Sequence, residues 1–421
     1  MSTSALPVAQ VFARVLGPHN QLSISAYDGS TSGPADAEVG IEVRSPLALS
    51  YLLSSPGDLG MARAFVSGHL VVTGDLYTAL RALVSQVDEL SARDRVWLLR
   101  ELGPRHLRRV PLPPEELPSR LRRTVHGLNH SKARDSNAIA SHYDVSNRFY
   151  ELVLGPSMAY TCAVFDDADT TLEEAQAHKF DLVCRKLDLK PGMRLLDVGC
   201  GWGGMVKHAT EHYGVEALGV TLSREQALWA QKDLAAAGLT DKAEVRYTDY
   251  RDVTETDFDA VSSIGLTEHI GASNLPAYFR FLASKVKPYG RLLNHCVTNP
   301  NTRVPHRSRG FIDRYVFPDG ELEAMGEIVS AMQDNGFEVR HAENLREHYA
   351  TTLAGWGANL EANWDEAIAE AGENRGRVWA LYMAACRLAF ERHELELSQV
   401  LGVRTDSGGL SNMPLRPDWG V

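Results

Sequence analysis

RLLDVGCGWGG (194–204) decides the fold. Leu195, Leu196 and Val198 form a short apolar run broken by Asp197, and three glycines (Gly199, Gly201 and Gly203) follow before GMVKHATEHY (204–213), which has helical periodicity. A buried strand that turns through glycines into a helix opens a nucleoside- or nucleotide-binding α/β unit. Glycine allows the tight turn and lets the backbone approach a bound nucleoside closely. The acidic residue selects among ligands. In a dinucleotide site the helix N-terminus faces a pyrophosphate, and an anion beside it is unfavourable. S-adenosylmethionine carries a sulfonium and an ammonium and no phosphate, so Asp197 suits it and argues against a nicotinamide oxidoreductase.

Outward from this stretch, strands and helices alternate. VEALGVTL (215–222), AEVRYTDY (243–250), FDAVSSIGL (258–266) and GRLLNHCVT (290–298) read as strands, and SREQALWAQKDLAAAGL (223–239) as a helix. The pattern predicts an α/β protein with a doubly wound, mostly parallel sheet, its ligand beyond the carboxyl ends of the strands. The expected cofactor residues are Asp197, Gly199, Cys200, Gly201 and Gly203 in the first turn, then Thr221, Leu222, Ser223 and Gln226 after the second strand. Many nucleotide sites carry a carboxylate after that strand. Here the position reads Val220-Thr221, and Gln226 is its expected replacement. Tyr250, ending the third strand, offers a ring to cover the adenine.

The whole chain sets outer bounds. Its 421 residues, 44% hydrophobic and 23% charged, suit a soluble enzyme of two or three domains. No apolar run of about 18 residues occurs, and the first residues lack the pattern of a secretory signal. Five scattered cysteines without zinc spacing indicate neither a disulfide framework nor a metal site, and a reducing cytoplasm is the expected setting. A net charge of −11 argues against a nucleic-acid partner. Between Arg93 and Arg134, however, eleven Lys/Arg stand against four Asp/Glu, interleaved with Leu, Val and Trp97. Such a stripe suits an anionic membrane surface as well as it suits a solvated linker. PLPPEELP (111–118) is punctuation. The expected division is a smaller N-terminal α+β domain (1–110), associated with lipid, membrane or a second copy, a Pro-rich and basic linker (111–136), and a catalytic domain (137–421).

Seven segments together resemble the cyclopropane-fatty-acid synthase family, which includes the mycolic-acid cyclopropane synthases. They are HYDVSNRFYELVLGPSMAYTCAVF (142–165), LLDVGCGWGG (195–204), VTLSREQ (220–226), SIGLTEHIG (263–271), LLNHCV (292–297), FIDRYVFPDGEL (311–322) and HYATTLAGW (348–356). The resemblance covers 137–400 in the family's order, and the N-terminal part resembles the extra domain of the longer, phospholipid-acting members. It implies a Rossmann-like class I methyltransferase fold, S-adenosylmethionine as co-substrate and a bound bicarbonate. The bicarbonate ligands it implies are Cys162, Glu268, His295 and Tyr349, with the backbone of Val297. It also sets Tyr160 and Thr161 beside the cofactor, and suggests Cys386, although LYMAACRLAF reads equally as an apolar core helix.

The chemistry explains that residue set. An isolated alkene is a weak nucleophile, so methyl transfer to it needs a strong electrophile held close. The resulting cation must be kept from water until a base removes a proton. The resemblance therefore implies methyl-carbon transfer to the cis double bond of an unsaturated phospholipid acyl chain. The product is an open choice between a cyclopropane ring and an exocyclic methylene. Common ring-forming members carry Phe where this chain has Thr267, and Asn294 and Cys296 flank His295. These variants resemble actinobacterial tuberculostearic-pathway enzymes, which methylenate an oleoyl chain at carbon 10 before a separate flavin- or NADPH-type reductase acts. The competing readings are a small-molecule N- or O-methyltransferase and a lipid-binding scaffold with a decayed cofactor site. The expected setting is cytoplasmic, peripheral at the inner membrane face, and a homodimer is compatible with it. Neutralising Arg120, Arg122 and Arg123 together is expected to weaken binding to anionic vesicles chiefly at low salt, where such charges are unscreened. Unchanged flotation with vesicles would reduce that segment to a linker.

Overall fold

The computed structural model describes residues 7–16, 21–55, 57–87, 110–117, 145–303, 306–307, 310–318 and 320–419. The eleven basic residues of the Arg93–Arg134 stripe, most of the expected linker, and His142 lie outside the described residues. Two compact units account for the chain. The first is Met1–Pro118 with Arg309–Val316 and Trp364–Leu388, and the second is Ser119–Ser308 with Phe317–Asn363 and Ala389–Val421. The division is interleaved along the sequence, so a single cut between the two expected domains does not describe it.

The first unit opens with α1 (Val8–Leu16), β1 (Ser23–Ala26), β2 (Thr31–Ser32), β3 (Gly40–Val43), α2 (Pro46–Ser54), α3 (Asp58–Val66), β4 (Leu70–Thr73) and α4 (Leu76–Val87). Its sheet runs β2-β1-β3-β4, parallel only between β1 and β3. Ile24, Ile41 and Val43 from the strands bury against Leu49, Ala64 and Leu83. Residues 111–117, read from sequence as the start of a linker, are anchored here. Tyr51 Oη donates to Pro111 O at 2.7 Å, and buried Glu116 takes both Arg63 (2.7 Å) and Arg314 (2.5 Å). A buried carboxylate with two guanidinium partners is held in place, since removing either side would strand a charge away from water.

The second unit carries the sheet that the glycine motif predicts. Its elements are α5 (Asn147–Leu154), α6 (Leu172–Leu187), β5 (Arg194–Val198), α7 (Gly204–Tyr213), β6 (Glu216–Thr221), α8 (Arg224–Ala236), β7 (Ala243–Tyr247), β8 (Phe258–Ile264), α9 (Leu275–Lys285), β9 (Val286–Thr298), the short pair β10 (His306–Arg307) and β11 (Glu321–Leu322), α10 (Met325–Gln333), β12 (Glu338–Asn344), α11 (Arg346–Ala362) and β13 (Glu396–Val403). Seven strands form one sheet in the order β12-β13-β9-β8-β5-β6-β7. The five from β9 to β7 are parallel, and β13 runs antiparallel to both β9 and β12. The direction of winding reverses at β5, between β8 and β6. That reversal opens a crevice at the strands' carboxyl ends, where Asp197 and the glycine turn lie.

Alternate residues feed the two faces of the sheet. Leu195, Leu293 and Leu401 pack with Val183 and Cys184 of α6, Val206 of α7 and Ala230 of α8. Leu196, Val261, Leu292 and Val400 pack with Phe279 and Leu282 of α9 and Ile328 and Met332 of α10. Helix α6 starts sharply because Thr171 and Glu174 form a reciprocal capping box. Where α7 lies against β6 there is no room for a side chain. A Cβ on Gly219 would sit 2.8 Å from Val206 Cγ2 and 2.9 Å from Cys200 Sγ. Gly219→Ala is therefore expected to cost about 1–3 kcal/mol by overpacking, read as a lower urea midpoint at unchanged m-value.

Candidate active site

Strand β5 delivers Asp197 one residue before its end. The side chain is 1% exposed, and Ser262 Oγ of β8 donates to its Oδ1 at 2.6 Å. Burial pushes the carboxyl up to about 6, against the pull of Ser262 and of the Lys179 charge. The turn is pinned by the Gly199 and Cys200 amides, both donating to Val220 O of β6 at 2.9 and 3.0 Å. Gly199 has φ +77° and Gly201 +54°. A Cβ on Gly201 would meet nothing within 4 Å, so the backbone there faces open space, as close approach of a nucleoside requires. Gly203 closes the turn, its amide donating to Cys200 O at 2.8 Å.

The expected second-strand residues form one local network. Thr221 Oγ1 donates to Gln226 Oε1 at 2.9 Å and accepts from the Ser223 amide at 3.2 Å, and Ser223 Oγ caps α8 through the Gln226 amide. Leu222 lies half-buried between them. Tyr250, after β7, is held edge-on by Tyr278 and Phe281, with ring centroids 5.2 and 5.4 Å away. Tyr160 and Thr161 come from the segment after α5. Tyr160 packs 5.3 Å from Trp356, and Thr161 Oγ1 accepts from Lys179 Nζ at 2.8 Å.

The second cluster lies on the neighbouring strands. Glu268 sits in a single 3₁₀ turn (Thr267–His269) just after β8, and His295 lies in β9 opposite Ile264 of β8. The Val297 amide donates to Glu268 Oε1 at 2.7 Å. That amide, expected to meet a ligand, thus holds the carboxyl. Glu268 as a residue is half-buried, but its Oε2 is shielded from solvent, and His295 is 1% exposed. Neither Glu268 Oε2 nor His295 Nε2 has a hydrogen-bond partner among the described residues. Each orphaned buried polar atom costs about 1–3 kcal/mol, so a small ligand bearing both donor and acceptor oxygens fits the demand. Burial pushes Glu268 up to about 7. Burial also holds His295 well below its ordinary range, helped by the Lys179 and Lys186 charges.

Cys162 lies against the start of α11, the helix that carries Tyr349. The Tyr349 amide donates to Leu345 O at 3.2 Å, and Cys162 Sγ reaches the same carbonyl at 3.8 Å and Ala163 O at 3.2 Å. Burial pushes the Cys162 thiol far up, so it is a neutral weak donor. Tyr349 packs 4.7 Å from Phe390 and 6.0 Å from Trp356. Cys386 lies in the helix Glu373–Glu391, in the part belonging to the first unit, with its thiol pushed up to about 12 by burial.

Sequence reasoning missed four buried polar residues. Lys179 and Lys186 are seven apart on α6, both fully buried, one bonding Thr161 and the other reaching Gln399 Oε1 at 2.7 Å and Glu343. Gln399, also fully buried, meets His295 Nδ1 at 3.1 Å. Trp356 Nε1 is buried and has no hydrogen-bond partner among the described residues. The two lysines had a signal. In HKFDLVCRKL (178–187) they fall on the stripe carrying Val183 and Leu187. Gln399 had none beyond being polar in an apolar strand.

Residues 130–400 match the family described as mycolic acid cyclopropane synthetase. The chain is 52% identical, over the full length of both, to a probable fatty acid methyltransferase of Mycobacterium tuberculosis. It is 30% identical to a tuberculostearic acid methyltransferase of the same organism, over 95% of this chain and 91% of that one. Among solved structures, a mycolic acid cyclopropane synthase complexed with SAH and CTAB superposes with a TM-score of 0.60 at 34% identity, covering 64% of this chain and 98% of that one. With the glycine turn, Asp197 and the buried Glu268–His295 pair in the family's order, this chain belongs to the mycolic acid cyclopropane synthetase family and is an S-adenosylmethionine-dependent methyltransferase.

Proposed function

We propose that this enzyme transfers the methyl carbon of S-adenosylmethionine to the cis double bond of an oleoyl-type phospholipid acyl chain, giving a 10-methylene branch. The observation that carries the reading is the pair of shielded, unpartnered atoms Glu268 Oε2 and His295 Nε2 at the ends of strands beside the glycine turn. A polar methyl acceptor would not call for a shielded anion pocket; a carbocation does. Bicarbonate fits the donor set, with Glu268, His295, Tyr349 and Cys162 to hold it, and when bound it supplies a proton acceptor and a negative charge.

In the reaction a carbon–carbon bond forms between the sulfonium methyl and one alkene carbon, the sulfur–methyl bond breaks, and S-adenosylhomocysteine leaves. Positive charge moves to the other alkene carbon. For the methylene product a hydride shifts to that carbon and the new methyl loses a proton; for the ring, the proton is lost as the ring closes. Tyr160, Trp356, Tyr349 and Phe390 form a continuous aromatic set that offers π faces, which stabilise a cation without trapping it. Neutral His295 would donate a hydrogen bond to the bound anion, and Glu268 is fixed by the Val297 amide.

Three observations support the finer choices. The relatives that match this chain nearly end to end are named for fatty acid and tuberculostearic acid methylation, whereas the mycolic acid synthase matches only 64% of it. Thr267, where ring-forming members carry Phe, is buried and donates to Asn294 Oδ1 at 2.6 Å, and Asn294 Nδ2 reaches Cys296 Sγ at 3.2 Å. No helix among the described residues is long and apolar enough to cross a membrane, so acyl chains would be met from the surface, with the basic stripe as the anionic-lipid contact at the inner face. The methylene product would then pass to a separate flavin- or nicotinamide-dependent reductase. Ring closure is the second reading, favoured by the name of the matching family.

Mass spectrometry of lipids from a host expressing the gene, after derivatisation, is expected to show a methylene branch at carbon 10. A cyclopropane would select the second reading, and label from the cofactor appearing only in polar small molecules would remove both. Glu268→Gln is expected to slow turnover at least 100-fold with cofactor affinity nearly unchanged. The same variant has a stability signature. The wild-type carboxyl is raised in the fold from 4.5 to about 7, so its proton favours the folded state at low pH, and that stability is lost as pH rises from about 4.5 through 7. Glu268→Gln should therefore be as stable as wild type at pH 4.5 and more stable at pH 8, by at most about 3 kcal/mol. A constant difference in thermal midpoint across that range would contradict the burial of this carboxyl.

A further inference from the structure

We infer that Gln399 is a positioning residue that locks His295 in the tautomer protonated at Nε2, and that the Lys186–Glu343 pair locks Gln399. Three strands set the residues in one row. Glu343 of β12 lies directly opposite Gln399 of β13, and Gln399 directly opposite His295 of β9. Directly opposed residues point to the same face of a sheet, and on that face Lys186 of α6 reaches both Glu343 and Gln399 Oε1.

The chemistry of the row leaves one arrangement. An ammonium has only hydrogens to offer, so the carboxamide must turn its oxygen to Lys186 Nζ, at 2.7 Å. Reversed, its NH₂ would face the ammonium, hydrogen against hydrogen, in a site without solvent. The NH₂ therefore faces His295 Nδ1 at 3.1 Å. An NH₂ only donates, so Nδ1 must present its lone pair, and the proton of a neutral imidazole is left on Nε2. Nε2 is the shielded atom with no hydrogen-bond partner among the described residues. His295 is followed two residues later by Val297, which holds Glu268. Burial together with the Lys179 and Lys186 charges keeps the ring neutral. His295 is thus a fixed hydrogen-bond donor to whatever occupies the site, and not the base that accepts the product's proton. Only this catalytic consequence rests on the trapped-anion reading; the tautomer follows from the row alone.

The full-length protein with ¹⁵N-labelled histidine tests the assignment directly. In a long-range ¹H–¹⁵N correlation, the ring signals that vanish in His295→Asn are expected to show a protonated Nε2 and a bare Nδ1. A protonated Nδ1 in the wild type would overturn the inference. Gln399→Glu presents a carboxylate that must accept from Nδ1, so it is expected to move the proton there and lower kcat by about 100-fold, with KM for S-adenosylmethionine within about twofold. Gln399→Met, which enforces neither tautomer, should lose about tenfold. Lys186→Met, which frees the amide to turn, should give a mixture of the two ring signals. A merely structural Gln399 would leave the tautomer unchanged in all three variants, and that outcome, or near wild-type kcat in Gln399→Glu, would sink the proposal. Turnover in CO₂-stripped buffer with and without added bicarbonate separates the two ideas. A wild type indifferent to bicarbonate but protonated at Nε2 would remove the anion reading and uphold the tautomer.

Discussion

Taking ionisable side chains out of water is the constraint around which the second unit is arranged. Asp197, Lys179, Lys186 and His295 are all buried in or against a sheet with leucine, valine and alanine prominent on both faces. An unpaired charge in such a place is too costly to persist, so each group is either partnered or held neutral. Asp197 takes Ser262, Lys179 takes Thr161, Lys186 takes Glu343 and Gln399, and His295 takes Gln399. Glu268 Oε2, His295 Nε2 and Trp356 Nε1 are among the buried atoms left without a hydrogen-bond partner among the described residues.

The sheet explains how so many polar groups tolerate this position. The five parallel strands bring the glycine turn, the Thr221–Gln226 network and Glu268 to their carboxyl ends, as any doubly wound sheet would. The antiparallel addition of β13 and β12 makes the site particular to this fold. It covers the outer edge of β9, and by its register it carries a polar row from half-exposed Glu343 inward to His295. A slip of one residue in β13 would turn Gln399 to the opposite face and leave His295 Nδ1 without its donor. Positional precision at the imidazole is thus bought by strand pairing some distance from the reacting atoms.

The same view accounts for the chemistry supported. A methyl group attached to an alkene leaves a cation that water would capture, so the site must be dry and still hold a proton acceptor. Dryness comes from the aromatic set around Trp356 and from the buried strand ends. In the proposed reaction three groups would surround the acceptor: a neutral donor in His295, a carboxyl anchored by a backbone amide in Glu268, and a neutral thiol in Cys162. The Thr267 hydroxyl is absorbed by the Asn294–Cys296 pair, so the polarity there is internally satisfied.

Local pattern alone determined much of this. RLLDVGCGWGG specified the strand, the turn and the helix because apolar periodicity and glycine backbone freedom act over a few residues, and Asp197 selected the sulfonium cofactor by charge. The family's motifs named Glu268, His295, Tyr349 and Cys162, and suggested Cys386 on what reads equally as an apolar core helix. Other features were decided only by the tertiary structure. These are the interleaving of the two units, the anchoring of residues 111–117 by Glu116, the engagement of the Val297 amide by Glu268, and the row Glu343–Gln399–His295 beneath Lys186. Each joins residues tens to hundreds of positions apart through register or through burial of a charge, and neither quantity exists until strands have paired and water has been excluded.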